Sequence, residues 1–217
     1  MTSRWHENTT MMRKRNILQA AVFVLTLTMA QGTTARNEAA AGDPGAFIEQ
    51  LASQAIQILS ASKGSLRERE NKFRDLLRDD FAMNRIGRFV AGSYWRRMSA
   101  AQRETYLRLF GEWVLKTYSI RLGGYSGEQF QVIRSTPAGE RDVIVHTQIN
   151  KSGGDGFNAN WRVRQDGDRY KIIDIHVEGV SMVIAQRSEF NSIFRRHGID
   201  GLIGMLRDRV SKLPVSP

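Results

Sequence analysis

The stretch FNANWRVRQDGDRYKIIDIHV, residues 157–177, decides the fold class. Phe157, Ala159, Trp161 and Val163 alternate with Asn158, Asn160, Arg162 and Arg164. Successive side chains on an extended backbone point to opposite faces, so this is the pattern of a half-buried strand. Asp166-Gly167 follows, a strong hairpin signal. Tyr170 to Val177 is then the returning strand. A connection this short forces the pair to be antiparallel.

Working upstream, Asp142 to Ile149 carries Val143, Ile144, Val145, Thr147 and Ile149, and Gln129 to Arg134 is a shorter β-prone run. Pro137-Ala138-Gly139-Glu140 links these two as a turn, and Ser152-Gly153-Gly154-Asp155-Gly156 is a hairpin loop. Four successive runs with tight links predict an antiparallel meander. Trp and Phe are assigned to both faces of the strands, which predicts a sheet covered on most of both sides.

Helices flank this sheet in sequence. Phe47, Ile48, Leu51, Ala55, Ile56 and Leu59 recur at helical spacing. Ser65 and Glu68 form a capping box for a second helix with Phe73, Leu76, Leu77 and Phe81 on its buried side. A short helix carries Ile86, Phe89 and Val90 and ends near Gly92. Ser99 and Gln102 form another capping box, opening the longest helix, with Tyr106, Leu109, Phe110, Trp113, Val114, Thr117 and Tyr118 on one broad face until Gly123-Gly124. After Gly179 the chain turns helical again, breaks at His197-Gly198, and resumes with Asp200 as the cap. The predicted class is α+β: an antiparallel meander covered by N-terminal and C-terminal helices.

The N-terminus has the three parts of a secretory signal: basic Arg13-Lys14-Arg15, apolar Ile17 to Met29, then small and polar residues. The apolar run is short for a membrane span, which takes roughly 20 residues. Residues 1–35 are therefore assigned to a cleavable signal, with Ala30 and Ala35 both at candidate cleavage edges and Met11 or Met12 as alternative starts. Residues 36–46 are assigned to a linker, and 47–213 to the single functional domain. Removing 1–35 takes away four basic residues and one acidic residue, lowering the formal charge from +10 to +7. An exported basic chain meets anionic membrane surfaces or acidic proteins more readily than nucleic acid.

The absence of cysteine excludes disulfides, thiolate metal sites, cysteine nucleophiles and a lipoprotein anchor. No P-loop, Gly-x-Gly-x-x-Gly, His-Glu-x-x-His or Gly-x-Ser-x-Gly motif occurs. Arginines following Tyr94-Trp95 could stack bases, but most arginines are interleaved with acids, as in Arg67-Glu68-Arg69-Glu70, which is the pattern of a solvated helix face. Asp174, His176 and Glu178, at alternating strand positions, form the single polar cluster with catalytic or metal-binding potential, with His146 as a fourth candidate ligand.

Val177-Glu178-Gly179-Val180-Ser181-Met182-Val183, preceded by Tyr170-Lys171-Ile172-Ile173-Asp174 and followed by Arg187 and His197-Gly198-Ile199-Asp200-Gly201-Leu202, resembles the MlaC, or toluene-tolerance, family. Gly92-Ser93-Tyr94-Trp95-Arg96 and Ala101-Gln102-Arg103-Glu104-Thr105-Tyr106 extend the likeness, which spans about Phe47 to Val210. Tyr170 stands where many members carry Trp. The resemblance implies a non-enzymatic periplasmic shuttle of Gram-negative cells without metal or cofactor. It would hold phospholipid tails in an apolar cavity and carry the lipid between an inner-membrane ABC transporter complex and an outer-membrane lipoprotein–porin complex, maintaining outer-membrane lipid asymmetry. A related branch implies a hopanoid or other envelope lipid. An envelope hydrolase or metal-binding protein using Asp174, His176 and Glu178 is the alternative of a different class.

For the cavity, Ile173, Ile175 and Val177 are expected to share one strand face, looking toward Trp113, Val114 and Tyr118 of the long helix. The wall is completed by Ile86, Phe89, Val90 and Tyr94 from the short helical region and by Val180 and Ile184 after the Glu178-Gly179 turn. Gly179 permits the tight backbone, and Ser181 caps the helix that follows.

Overall fold

The structure is a computed structural model that describes residues 42–60, 66–121, 127–151 and 154–212. The signal assigned to 1–35, the Ser65 cap and the Gly123-Gly124 stop lie outside them. Four helices and a short fifth one precede the sheet: α1 (Pro44–Ser60), α2 (Leu66–Asp80), α3 (Met83–Ala91), α4 (Tyr94–Arg97) and α5 (Ala100–Arg121). β1 (Gln129–Pro137), β2 (Asp142–Lys151), β3 (Gly154–Asp166), β4 (Arg169–Val177) and β5 (Val180–Ser181) follow, and α6 (Met182–Lys212) closes the chain. The sheet order is β1-β2-β3-β4-β5, antiparallel throughout, which is the predicted meander with one two-residue strand added.

Local chemistry sets the element ends. α1 begins at Pro44, inside the stretch expected to be linker, because Asp43 caps it: Gly45 N–H donates to Asp43 Oδ1 at 2.9 Å and Phe47 N–H to the Asp43 carbonyl at 3.0 Å. Proline in the first helical position loses no hydrogen bond. The Ser99–Gln102 capping box forms reciprocally: Gln102 N–H donates to Ser99 Oγ at 3.2 Å and Ser99 N–H to Gln102 Oε1 at 2.9 Å. Gln102 Nε2 then donates to Asp200 Oδ1 at 2.8 Å, so the residue expected to cap the last helical segment ties that segment to the start of α5. α6 is two helical segments meeting at Gly198, whose φ of 68° and ψ of −170° only glycine adopts readily. The break read from His197-Gly198 is therefore real, although the helical run continues across it.

Of three register shifts in the sheet, those on β1 and β4 change which side chains face inward, and the third lies between Ile149 and Lys151. On β4, Val163 pairs with Ile172 but Arg162 pairs with Asp174, so Ile173 is the extra residue. Ahead of the bulge Tyr170 and Ile172 face the helices, and beyond it Ile175 and Val177 do. The expectation that Ile173, Ile175 and Val177 share one face fails for Ile173, because an inserted residue shifts the two-residue period by one. On β1 the register shifts between Val132 and Arg134, and Ile133 is left 52% exposed.

Among the described residues, helices cover one side of the sheet. Phe157, Ala159, Trp161 and Val163 all lie on the same face of β3, so the aromatic residues are not split between faces as expected. The opposite face pairs Arg134, His146, Asn160 and His176 in one row across four strands, with Arg162 of β3 beside it. These are half-buried or exposed polar groups. Asp142, 3% exposed, is held there by Arg162 Nε at 2.9 Å and by both Nε and Nη2 of Arg164, the latter at 2.8 Å. The Arg164 contact, more than that of Arg162, keeps the Asp142 carboxyl below its ordinary value despite burial.

Buried apolar residues form two cores. One joins the inner sheet face (Val145, Val163, Ile172) to Ile48 and Leu51 of α1 and Phe73, Leu76 and Leu77 of α2. The other is helical and aromatic: Tyr106, Phe110 and Trp113 of α5 pack on Phe190 and Phe194 of α6 and on Ile86 and Val90 of α3. Ring centroids of Phe110 and Phe190 lie 6.1 Å apart edge to face. Tyr106 is fully buried; its hydroxyl donates to the Gly87 carbonyl at 2.9 Å, and burial pushes its pKa above the ordinary range. Phe81, between α2 and α3, packs against both cores.

Candidate functional site

The two cores do not close on each other. Between them lies a cavity of about 600 Å³. α2 contributes Phe73, Leu76 and Leu77 from the first core; Ile86, Val90, Phe110 and Trp113 come from the second. α1 lines it with a helical stripe running from Ile48 to Leu59, and the sheet with Phe130, Ile149, Phe157, Trp161, Ile175 and Val177. Glu128, Asp174 and Gln186 are the ionisable or amide side chains among these lining residues.

Polar groups along the wall are tied up internally. Trp161 Nε1–H donates to Thr147 Oγ1 at 3.1 Å, and that hydroxyl donates in turn to the Ala159 carbonyl. Asp174 accepts from Ser181 Oγ at 2.6 Å, Ile175 N–H at 2.8 Å and Val183 N–H at 3.1 Å. Ser181 Oγ also accepts from Ile184 N–H at 3.0 Å, so Ser181 and Asp174 together cap α6, as expected for Ser181. The turn ahead of them has φ of 48° at Glu178 and 80° at Gly179, the paired left-handed residues of a two-residue hairpin. Glu178 pins the turn to β3: its N–H donates to the Asn158 carbonyl and its carboxylate accepts from the Asn158 N–H.

These bonds give two residues of the polar trio structural roles. Asp174 is a helix cap and Glu178 a turn clamp. His176 Nε2 stands 3.6 Å from Asp174 Oδ2, beyond hydrogen-bond length, and His176 Nδ1 is buried without a partner. His146 lies two strands away and shares a 2.9 Å hydrogen bond with Thr136 Oγ1. Among the described residues no group of three or more His, Cys, Asp or Glu side chains could hold a metal ion. Ser181 lies across the β4–β5 hairpin from His176, but its hydroxyl donates to Asp174, and among the described residues no hydrogen bond joins it to a histidine.

Of the residues expected to line the cavity, Ile86, Val90, Trp113, Val114, Ile175 and Val177 do so. The side chain of Tyr118 lies outside the described residues. Tyr94 instead stacks on Phe194, with centroids 4.2 Å apart, inside the helical core. Ile173 is lost to the bulge. Phe89, Val180 and Ile184 face outward, 45%, 54% and 60% exposed. Phe89 shares the solvent face of α3 with Arg85, four residues earlier, whereas Met83, Ile86 and Val90 form the inner stripe. Val180 stands next to the turn of the β4–β5 hairpin, and Met182, Val183 and Gln186 are the α6 residues that line the cavity. The α1 and α2 lining was missed as lining because helical periodicity marks these residues as core and does not distinguish a filled core from an open one.

Comparison with known proteins places this arrangement. The family model described as MlaC protein matches residues 49–208, well over half of the chain. The chain belongs to the MlaC family. One MlaC relative, the intermembrane phospholipid transport system binding protein MlaC of Haemophilus influenzae, is 25% identical over 197 residues, covering 87% of this chain and 92% of the relative. Among solved structures, the phospholipid-binding protein of Ralstonia solanacearum, determined with a bound phospholipid, superposes with a TM-score of 0.68 at 19% identity, covering 79% of this chain and 98% of that one. The shared fold is the one-sided meander with helices on its inner face.

Proposed function

We propose that this MlaC-family chain is a periplasmic phospholipid carrier that holds acyl chains in the cavity between its two cores and performs no chemistry on them. The observation that carries this reading is the cavity itself. A close-packed interior leaves few voids larger than a water molecule. An apolar cavity of about 150 Å³ in another protein suffices for benzene, and this one is about 600 Å³. Its size falls within the range of ligand sites. Each acyl CH₂ removed from water contributes about 0.8 kcal/mol, so tails are held without any specific polar contact.

The bound phospholipid of the Ralstonia structure and the name of the Haemophilus relative support the ligand class. On this reading the carrier is exported by its N-terminal signal. It exchanges lipid with an inner-membrane ABC transporter complex and an outer-membrane lipoprotein–porin complex, and its traffic maintains outer-membrane lipid asymmetry. No helix among the described residues is long and apolar enough to cross a membrane.

Native mass spectrometry of the protein isolated from periplasmic extract tests the reading. Glycerophospholipid masses on the intact chain are the expected result. A hopanoid mass moves it to the other branch, and a protein that carries a metal and no lipid refutes it. The same spectrum gives the mature N-terminus, expected after Ala30 or Ala35.

A further inference from the structure

One wall of the cavity has an unusual outer surface. From Phe81 to Arg103 there is no acidic residue, but there are five arginines: Arg85, Arg88, Arg96, Arg97 and Arg103. This segment forms α3, α4 and the first turn of α5, whose Arg103 donates from Nε to the Trp95 carbonyl at 3.0 Å. Arg187 of α6 joins them, its guanidinium 4.7 Å above the Phe89 ring and packed over Gly92, where a Cβ would lie 3.2 Å from Nη2. Arg88 and Arg103 each approach the Trp95 ring to 5.3 Å, and Arg97 the Tyr94 ring to 5.0 Å. Three of the four exposed large apolar side chains among the described residues are Phe89, which Arg187 covers, Ile184, one helical turn before Arg187 on α6, and Val180 in the strand that leads into α6. Of the nearby acids, Asp174 is held in the α6 cap, Glu178 on Asn158 N–H and Glu189 with Arg209 at 3.2 Å, while Glu104 borders the segment on its C-terminal side.

We propose that this face, the outer side of α3 and α4 with the β4–β5 tip and the start of α6, docks onto an anionic phospholipid bilayer. Charge complementarity and the arrangement of the apolar groups point to that occupant. Guanidiniums standing among exposed Phe, Ile and Val can pair with phosphates while those side chains enter the acyl boundary, as on helices that lie in a membrane interface. Continuity with the cavity gives the surface its purpose. Ile86 and Val90 line the cavity from the inner side of the helix that exposes Arg85 and Phe89, and Val180 pairs across the hairpin with Val177, a cavity residue. Docking sets the cavity one helix thickness from the lipid headgroups.

The test is co-sedimentation of the mature protein with phosphatidylcholine vesicles and with the same vesicles containing phosphatidylglycerol, at low and high sodium chloride. Binding is expected with phosphatidylglycerol and should weaken with salt. Each arginine at an anionic surface contributes roughly fivefold, so Arg85→Gln with Arg97→Gln should weaken binding by about 25-fold. Arg141→Gln with Arg207→Gln, the same charge loss elsewhere, should leave binding nearly unchanged. Phe89→Ser with Ile184→Ser should weaken it by at least about tenfold, because exposed apolar area is no longer buried on docking. Equal binding to both vesicle types overturns the proposal, as does a control pair that weakens binding as much as the docking-face pair. Native mass spectrometry reads the cavity independently. A lipid-loaded protein that ignores phosphatidylglycerol vesicles removes the docking face alone; a protein that docks but never carries lipid removes the carrier alone.

Discussion

Replacing Val177 by Trp distinguishes a lipid cavity from an ordinary core. Val177 ends β4, lines the cavity and is only partly buried, so an indole there extends into open space. Val145 is the control: 0% exposed at the centre of β2, opposite Trp161, inside the packed sheet core. Overfilling a packed core costs about 1–3 kcal/mol, so Val145→Trp should lose at least that much. Val177→Trp, measured on lipid-free protein, should lose less than about 1 kcal/mol. Its effect appears in the ligand. A lipid bound only to the native state at one hundred times its Kd stabilises by about 2.7 kcal/mol. At 2–4 °C per kcal/mol for a domain of this size, stripping the lipid from the wild type should lower the melting temperature by about 5–11 °C. Val177→Trp should lack most of that shift because the indole occupies the space of the acyl chains. The assay pairs lipid stoichiometry by native mass spectrometry with melting of loaded and stripped forms. If Val177→Trp keeps a full lipid complement and melts as low as Val145→Trp, the space beside β4 is ordinary core and the reasoning fails.

Other consequences are more local. Asp142→Asn should cost about 1–3 kcal/mol, since it breaks charged hydrogen bonds of a buried carboxylate. The folded-state pKa of Asp142 is depressed, so its stabilisation is complete above the ordinary carboxylate value of 3.8 and is lost as pH falls through the lower folded value. Acid unfolding curves of wild type and Asp142→Asn should therefore converge in that window, and parallel curves down to the lowest pH would contradict the assignment. Ser181→Ala should lower stability by about 1 kcal/mol through loss of the α6 cap and leave lipid content unchanged; loss of lipid at unchanged stability would give Ser181 a role in binding. Gly198→Ala forces an L-residue into φ 68°, ψ −170° and should cost about 1–3 kcal/mol, seen as a lower denaturant midpoint with unchanged slope. A neutral result would mean that the two segments of α6 can straighten.

What the sequence alone determined about this protein is what depends on neighbours in the chain. The hairpin signalled by Asp166-Gly167, which closes one residue later over Gly167-Asp168, the Ser99–Gln102 box, the Ser181 cap, the turn at Gly179 and the break at Gly198 each rest on residues within about four positions, the range over which capping and turn hydrogen bonds act. The ordered motifs from Gly92 to Leu202 likewise carried the family. Only the tertiary structure decided the parity of β4, because the bulge at Ile173 is fixed by its pairing with Arg162 and Val163 on another strand. It also decided which side of α3 holds Phe89 and that the sheet leaves one face polar. Above all it decided that Phe73, Leu76, Phe110 and Trp113 border a cavity. A stripe of apolar residues reads the same whether the opposing core meets it or stops short. The difference is the distance between helices and strands far apart in the chain, which no local pattern encodes.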